Sequence, residues 1–387
     1  MNNRYLIVGI LVFLVLASAT VVVFAFQEKP ADSESAQKAR TVKEIKLKGD
    51  FEKEWAVNAS GELITSLVSD NDAVFYSAHG VTALDAETGS TLWESKAFTG
   101  AAPIIAAEGT VIGTDPDGMM IALDSVTGRE KWRAAAGEQS TSAAISGKRV
   151  LYSNRTGIAV ALDKETGQEI WRSRISEGNV HASVSTATEG ETMFVLSSDG
   201  FLHNYSVTAI SAVNGAVLWT RFINDSSASI CTGPGKVFLL SQTSAGPDMP
   251  THVLVTLDAT DGSVKWQSNI YSQIPPVINF VDGRLYFGSF DANGAALHGL
   301  DPASGIEQWS CRPETRSSVP AAFAVKDGMV YLNDLTEIYA ADAENGKIWW
   351  NVKPGGPLMV PPVVADDSVC FAYGSAGTLY ALPLLHL

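Results

Sequence analysis

Three cysteines, six histidines and one short acidic turn are the parts of this 387-residue chain with chemistry of their own. Their spacing decides what they can do. Cys231, Cys311 and Cys370 lie far apart and are odd in number, which matches neither a zinc spacing nor a disulfide framework. They read as small buried apolar residues, and one bridge between two of them stays open in an oxidising compartment. His79, His181, His203, His252, His298 and His386 are scattered without the short intervals that gather metal ligands. Asp115-Pro-Asp-Gly118 has the composition of a calcium turn but lacks the alternating acidic positions and terminal Glu of an EF-hand loop, so it reads as an ordinary turn. There is no Gly-x-Ser-x-Gly elbow and no glycine-rich phosphate loop. Asn58, Asn154, Asn204 and Asn224 each open a glycosylation sequon. These residues predict no catalytic site, no metal and no cofactor.

The chain is organised instead by a structural repeat. Ala161-Leu-Asp-Lys-Glu-Thr-Gly-Gln-Glu-Ile-Trp171 carries the pattern AxDxxTGxxxW, whose Gly recurs at Gly89, Gly128, Gly167, Gly215, Gly262, Gly305 and Gly346. Its Trp recurs at Trp93, Trp132, Trp171, Trp219, Trp266, Trp309 and Trp350. The interval is about forty residues, the period of stacked or radially arranged supersecondary units. Each repeat opens with a short apolar run, Pro275-Pro-Val-Ile278 or Val360-Pro-Pro-Val-Val364, for example. A polar turn such as Lys326-Asp-Gly328 leads to a second strand, a Gly- and Asp-rich turn leads to a third ending in Ala-x-Asp, and the motif turn leads to a fourth that carries the Trp. Four short strands joined by turn chemistry at a fixed period make one propeller blade. Within the motif, Gly supplies the backbone freedom of a tight turn, while Thr is replaced by residues that can still bond locally, Asn214, Asp261, Ser304 and Asn345. The Asp at position three can accept N–H bonds from the turn that follows.

The count of seven motifs understates the count of blades. Leu379-Tyr-Ala-Leu382 matches a third strand, yet the chain ends at Leu387 before another motif turn. At the other end, Phe51-Glu-Lys-Glu-Trp55-Ala-Val57 resembles a fourth strand and directly precedes Glu62-Leu-Ile-Thr65, the expected first strand of blade 1. The sequence therefore predicts an all-β, eight-bladed β-propeller of four-stranded blades over residues 51–387. Its last blade is closed by the N-terminal strand beside Thr378–Leu382, which removes two exposed sheet edges. Trp55 joins the seven motif tryptophans as a blade-docking residue, and Trp349 stands beside Trp350.

The motif resembles the tryptophan-docking repeat of the pyrroloquinoline-quinone-like propeller family, and the resemblance covers 51–387. It implies that each Trp stacks on the Ala-to-Gly part of the neighbouring blade's motif. Two branches of that family differ in what they do. Quinoprotein dehydrogenases hold the quinone and a calcium ion in the funnel, are considerably longer, and usually carry a vicinal Cys pair and Glu, Asn and Asp ligands. This chain has no adjacent cysteines and little length beyond its blades. It is more similar to the BamB-type scaffold of outer-membrane barrel assembly, an extracytoplasmic eight-bladed propeller tethered through its N-terminus. That resemblance implies no enzyme activity and an envelope or membrane protein partner, with a quinone-dependent dehydrogenase or ligand-binding propeller as the alternative.

The N-terminus fits a tether. Tyr5 to Phe26 carries no charge and follows Arg4, and about 20 apolar residues suffice to cross a bilayer as a helix. Ala17-Ser-Ala19 could serve as a signal cleavage site, but the apolar run continues to Phe26, which favours an uncleaved anchor over residues 1–26. No cysteine lies near, which excludes a lipoprotein anchor of the BamB type. Residues 27–50, rich in Glu, Lys, Ser and Ala, read as a flexible link. The single Arg4 places the propeller on the extracytoplasmic side, periplasmic or extracellular. A net charge of −15 argues against nucleic acid, whose phosphates need a basic face. If a partner binds through loops, the long repeats of blades 4 and 5 offer them, at Leu202–Ser206 with Tyr205, and at 243–251 with Pro247, Asp248 and Met249.

Overall fold

A computed structural model describes residues 55–59, 64–97, 103–115, 117–135, 140–154, 156–175, 185–198, 205–223, 226–242, 252–273, 277–313, 322–333, 337–352, 358, 360–365, 368–373 and 377–384. The expected anchor at 1–26 and link at 27–50 lie outside them. Among the described residues no helix is long and apolar enough to cross a membrane.

A strand covered on both faces needs apolar side chains at consecutive positions, whereas a half-exposed strand alternates. Both patterns occur within one repeat. Val74, Phe75 and Tyr76 are all buried in the second strand of blade 1, as are Val150, Leu151 and Tyr152 in blade 3. The fourth strand of blade 3, Glu169–Arg174, buries Trp171 and exposes Glu169, Ile170 and Arg172. The second and third strands are thus sandwiched between neighbouring sheets, and the fourth forms the outer rim.

The described strands build eight antiparallel sheets of four strands. Seven are meanders in sequence order, and the eighth has the order Trp55–Asn58, Thr378–Pro383, Ser368–Tyr373, Val363–Ala365. Trp55 stands opposite Ala381 and Asn58 opposite Thr378, so the two ends of the chain share one blade as expected. Eight buried clusters, one per junction, run round the ring. Phe75, Val81 and Ala83 meet Val111, Ile121 and Leu123 between blades 1 and 2. Ile64, Leu67, Val74 and Leu84 meet Leu379 and Ala381 across the closing junction between blades 8 and 1.

One strand begins later than its composition predicts. The first strand of blade 1 is Ser66–Asp70 rather than Glu62–Thr65; Glu62 and Leu63 lie outside the described residues. Ile64 lies ahead of the ladder with its side chain buried in the closing junction, and pairing starts where Ser66 meets Ser77.

Candidate functional site

The motif residues come together at the blade junctions. Trp55, Trp93, Trp132, Trp171, Trp219, Trp266 and Trp309 project from the outer strand of one blade onto the motif turn of the next. Their indole N–H groups donate to the carbonyls of Ala86, Ser125, Lys164, Ala212, Ala259, Pro302 and Ala343, respectively, at 2.6–3.1 Å. Each ring lies against the next motif's Gly. A Cβ on Gly89, Gly128, Gly167, Gly215, Gly262, Gly305 or Gly346 would come within 2.5–2.8 Å of a ring atom. These glycines also hold φ between +68° and +74°, a conformation that costs any other residue strain. Gly is therefore required twice over, by its backbone and by the ring above it.

The eighth junction departs from this scheme. Trp350 is buried, but blade 8 has no motif Gly, and the ring packs with Leu358, Val369, Leu382 and Leu384. Its neighbour Trp349 lies under the Lys347 ammonium, 4.4 Å from the ring centre, and its buried indole N–H has no acceptor among the described residues.

The carboxylates of the motif are structural. Asp85 Oδ1 accepts the N–H and hydroxyl of Thr88 at 2.8 and 2.7 Å, and Asp124 and Asp163 repeat the arrangement with Thr127 and Thr166. These bonds favour the ionised form. They hold all three carboxyls below their ordinary value, with the Thr hydroxyl leading at Asp85 and Asp124 and the Thr166 N–H at Asp163. The substitutes for Thr bond locally too: Asn214 accepts from Ala216 N–H, Asp261 from Ser263 N–H and Asn345 from Lys347 N–H. Asp115 accepts the N–H groups of Asp117 and Met119 and pairs with Arg133, so it closes its turn as the sequence predicts. Asn154 is buried with its side-chain oxygen bonded to Thr156 and Ile158, which closes that sequon within its own turn.

One constellation was hidden from the sequence. In blade 6, His298 Nε2 lies 2.7 Å from Ser289 Oγ, and Nδ1 lies 2.9 Å from Glu307 Oε2. The imidazole stacks flat on Phe287, with ring centres 4.2 Å apart. With Glu307 ionised, Nδ1 carries the proton and Nε2 accepts from the Ser289 hydroxyl. Burial pushes the imidazole below its ordinary value, with Glu307 opposing. This is the order of nucleophile, base and orienting carboxylate, but the surroundings do not suit acyl transfer. Ser289 is 3% exposed. The N–H that follows a nucleophile commonly serves the oxyanion, and here the Phe290 N–H donates to Ser272 Oγ at 3.0 Å while its carbonyl accepts from Gln273. The trio satisfies a buried imidazole. The three residues lie nine apart on successive strands, a spacing that means nothing until the register is known.

Cys231, Cys311 and Cys370 are free thiols and buried. Burial raises the Cys231 thiol and pushes Cys311 up to about 11. Among the described residues no group of three His, Cys, Asp or Glu is placed to hold a metal ion. Tyr205 opens the third strand of blade 4 and packs, partly buried, on the junction with blade 5. Pro247, Asp248 and Met249 lie outside the described residues.

A family model described as outer membrane protein assembly factor BamB matches residues 52–148, 135–290 and 293–384. Solved structures share the fold at low identity. BamB from Moraxella catarrhalis superposes with a TM-score of 0.61 at 16% identity, covering 87% of this chain and 100% of that one. A computationally designed protein, Ika8, gives 0.71 at 15% identity, covering 86% of this chain and 99% of the other. The quinohemoprotein alcohol dehydrogenase ADHIIG of Pseudomonas putida HK5 gives 0.61 at 13% identity, covering 86% and 76%. No curated protein matches in sequence.

Proposed function

The chain belongs to the family described as outer membrane protein assembly factor BamB, and from that premise we propose that it is a non-enzymatic scaffold, tethered to a membrane, that works in envelope protein assembly. The observation that carries the reading is the extent of the family match, which runs from residue 52 to 384 through all eight blades. Residues 1–26 act as a membrane anchor in place of a lipid, and residues 27–50 hold the propeller away from the bilayer on the extracytoplasmic side. The partner is an envelope or membrane protein, met through Tyr205 and the 243–251 loop of blades 4 and 5. The net charge of −15 keeps the propeller from nucleic acid and from anionic headgroups.

The quinone-dependent dehydrogenases that the motif resembles usually carry a vicinal cysteine pair beside the quinone. Cys231, Cys311 and Cys370 pack in three different junctions and supply no such pair, which supports the scaffold reading. Crosslinking in the organism's own membranes, followed by identification of the attached proteins, tests the proposal. Recovery of a barrel-assembly or other envelope protein, lost when residues 245–249 are deleted, is the expected result. Stoichiometric quinone and calcium in the purified protein would overturn it.

A further inference from the structure

The outer edge of blade 4 lacks the charged pair that blades 2 and 3 carry. Among the described residues every fourth strand pairs on one side only. Such edges are normally blunted by charge or Pro. The outer strand of blade 2 carries the bonded pair Glu130–Arg133 and that of blade 3 the pair Glu169–Arg172. In blade 4, Val217 and Thr220 stand in the places of Glu169 and Arg172, counted from the shared Trp. The strand Val217–Ile223 is seven residues long, and its one charge, Arg221, points at Gly262 O of blade 5. Leu218 is 52% exposed and Phe222 76%.

The same strand is complementary to itself. Laid antiparallel on a second copy about Thr220, it sets Leu218 opposite Phe222, Val217 opposite Ile223, Trp219 opposite Arg221, and Thr220 opposite its counterpart. Apolar pairs and a Thr–Thr pair favour strand addition, and no like charges face each other. The closing blade, which carries Trp55–Asn58 and leads to the N-terminal residues, stands on the opposite side of the ring. A membrane attachment there leaves the blade 4 edge clear. We propose that the outer strand of blade 4 is the seam of a two-fold dimer, in which a second copy of this chain continues the sheet from four strands to eight. The closed symmetry uses up both edges.

Thr220→Cys tests this in the full chain, because the three native thiols are buried and the new one sits on the dyad. Mild oxidation, or a short bis-maleimide, in native membranes should give a species of twice the chain's mass. Glu94→Cys, on the outer strand of blade 1, should not. Phe222→Glu, at an exposed position, should lower the dimeric fraction at least tenfold while leaving the thermal midpoint of each propeller in place. Absence of a self-crosslink, a crosslink from the thiol of Thr220→Cys to a different protein, or an unchanged mass for Phe222→Glu would each overturn the proposal.

Discussion

Replacing Gly167 by Ala adds one methyl group to a position where the backbone and the neighbouring ring both resist it. The backbone holds φ at +68°, and the new Cβ would stand 2.6 Å from Trp132 Cδ2 and 2.7 Å from Cγ. The left-handed conformation costs an L-residue about 1–2 kcal/mol, and overpacking a tight contact costs about 1–3 kcal/mol, so Gly167→Ala should lose roughly 2–5 kcal/mol. The ring cannot tilt away freely, since its N–H is bonded to Lys164 O at 2.6 Å. Gly147 provides the control: it has φ +55° with nothing within 4 Å of a built Cβ, so Gly147→Ala should lose the backbone share alone, about 1–2 kcal/mol. For a cooperative unit of roughly 330 residues, these losses correspond to midpoint drops on the order of 3–7 °C and 1–3 °C. Differential scanning calorimetry of the two variants reads the difference directly. The double variant Gly167→Ala, Trp132→Ala should cost less than the sum of its parts, because the steric conflict is gone. Equal midpoints for Gly167→Ala and Gly147→Ala would refute the docking argument.

Other outcomes follow from the same geometry. Trp171→Ala should cost about 3–5 kcal/mol, as large-to-small changes in a packed core do; an unchanged thermal midpoint would count against it. Ser289→Ala should cost about 1–3 kcal/mol by removing the partner of the buried His298 Nε2, measurable by urea denaturation. His252 is pushed down to about 4 by burial, from an ordinary 6.5. The unfolded chain therefore binds more protons between those values, and stability should fall as pH drops through that window. His252→Leu should flatten that part of the profile, while the motif carboxylates Asp85, Asp124 and Asp163 contribute a further loss below about pH 3.8. Maleimide should leave Cys231, Cys311 and Cys370 unmodified in the folded protein and label all three in denaturant.

The repeat made most of the fold legible. A Gly and a Trp four residues apart, recurring with the blade, carry the turn and the ring that meets the next turn. The split eighth blade could be read because Trp55 and Leu379-Tyr-Ala-Leu382 each supply a missing part. What could not be read depends on register or on the neighbouring blade. Ile64 looks like a strand residue, yet the ladder begins at Ser66 and Ile64 packs in the closing junction. Trp350 carries the motif spacing, but the surface it meets is Leu382 and Leu384, and nothing in its own repeat says so. The pairing of Lys164 with Glu108 at 2.8 Å joins residues of different repeats that their own local patterns leave unremarked.

Native mass spectrometry of the full chain, extracted gently from its own membrane, tests the functional claim most directly, because one spectrum reads both bound protein and bound cofactor. The chain, as one copy or two, carrying an envelope protein and no quinone-sized adduct is the expected result. A partner-free chain carrying one quinone and one calcium ion would contradict it.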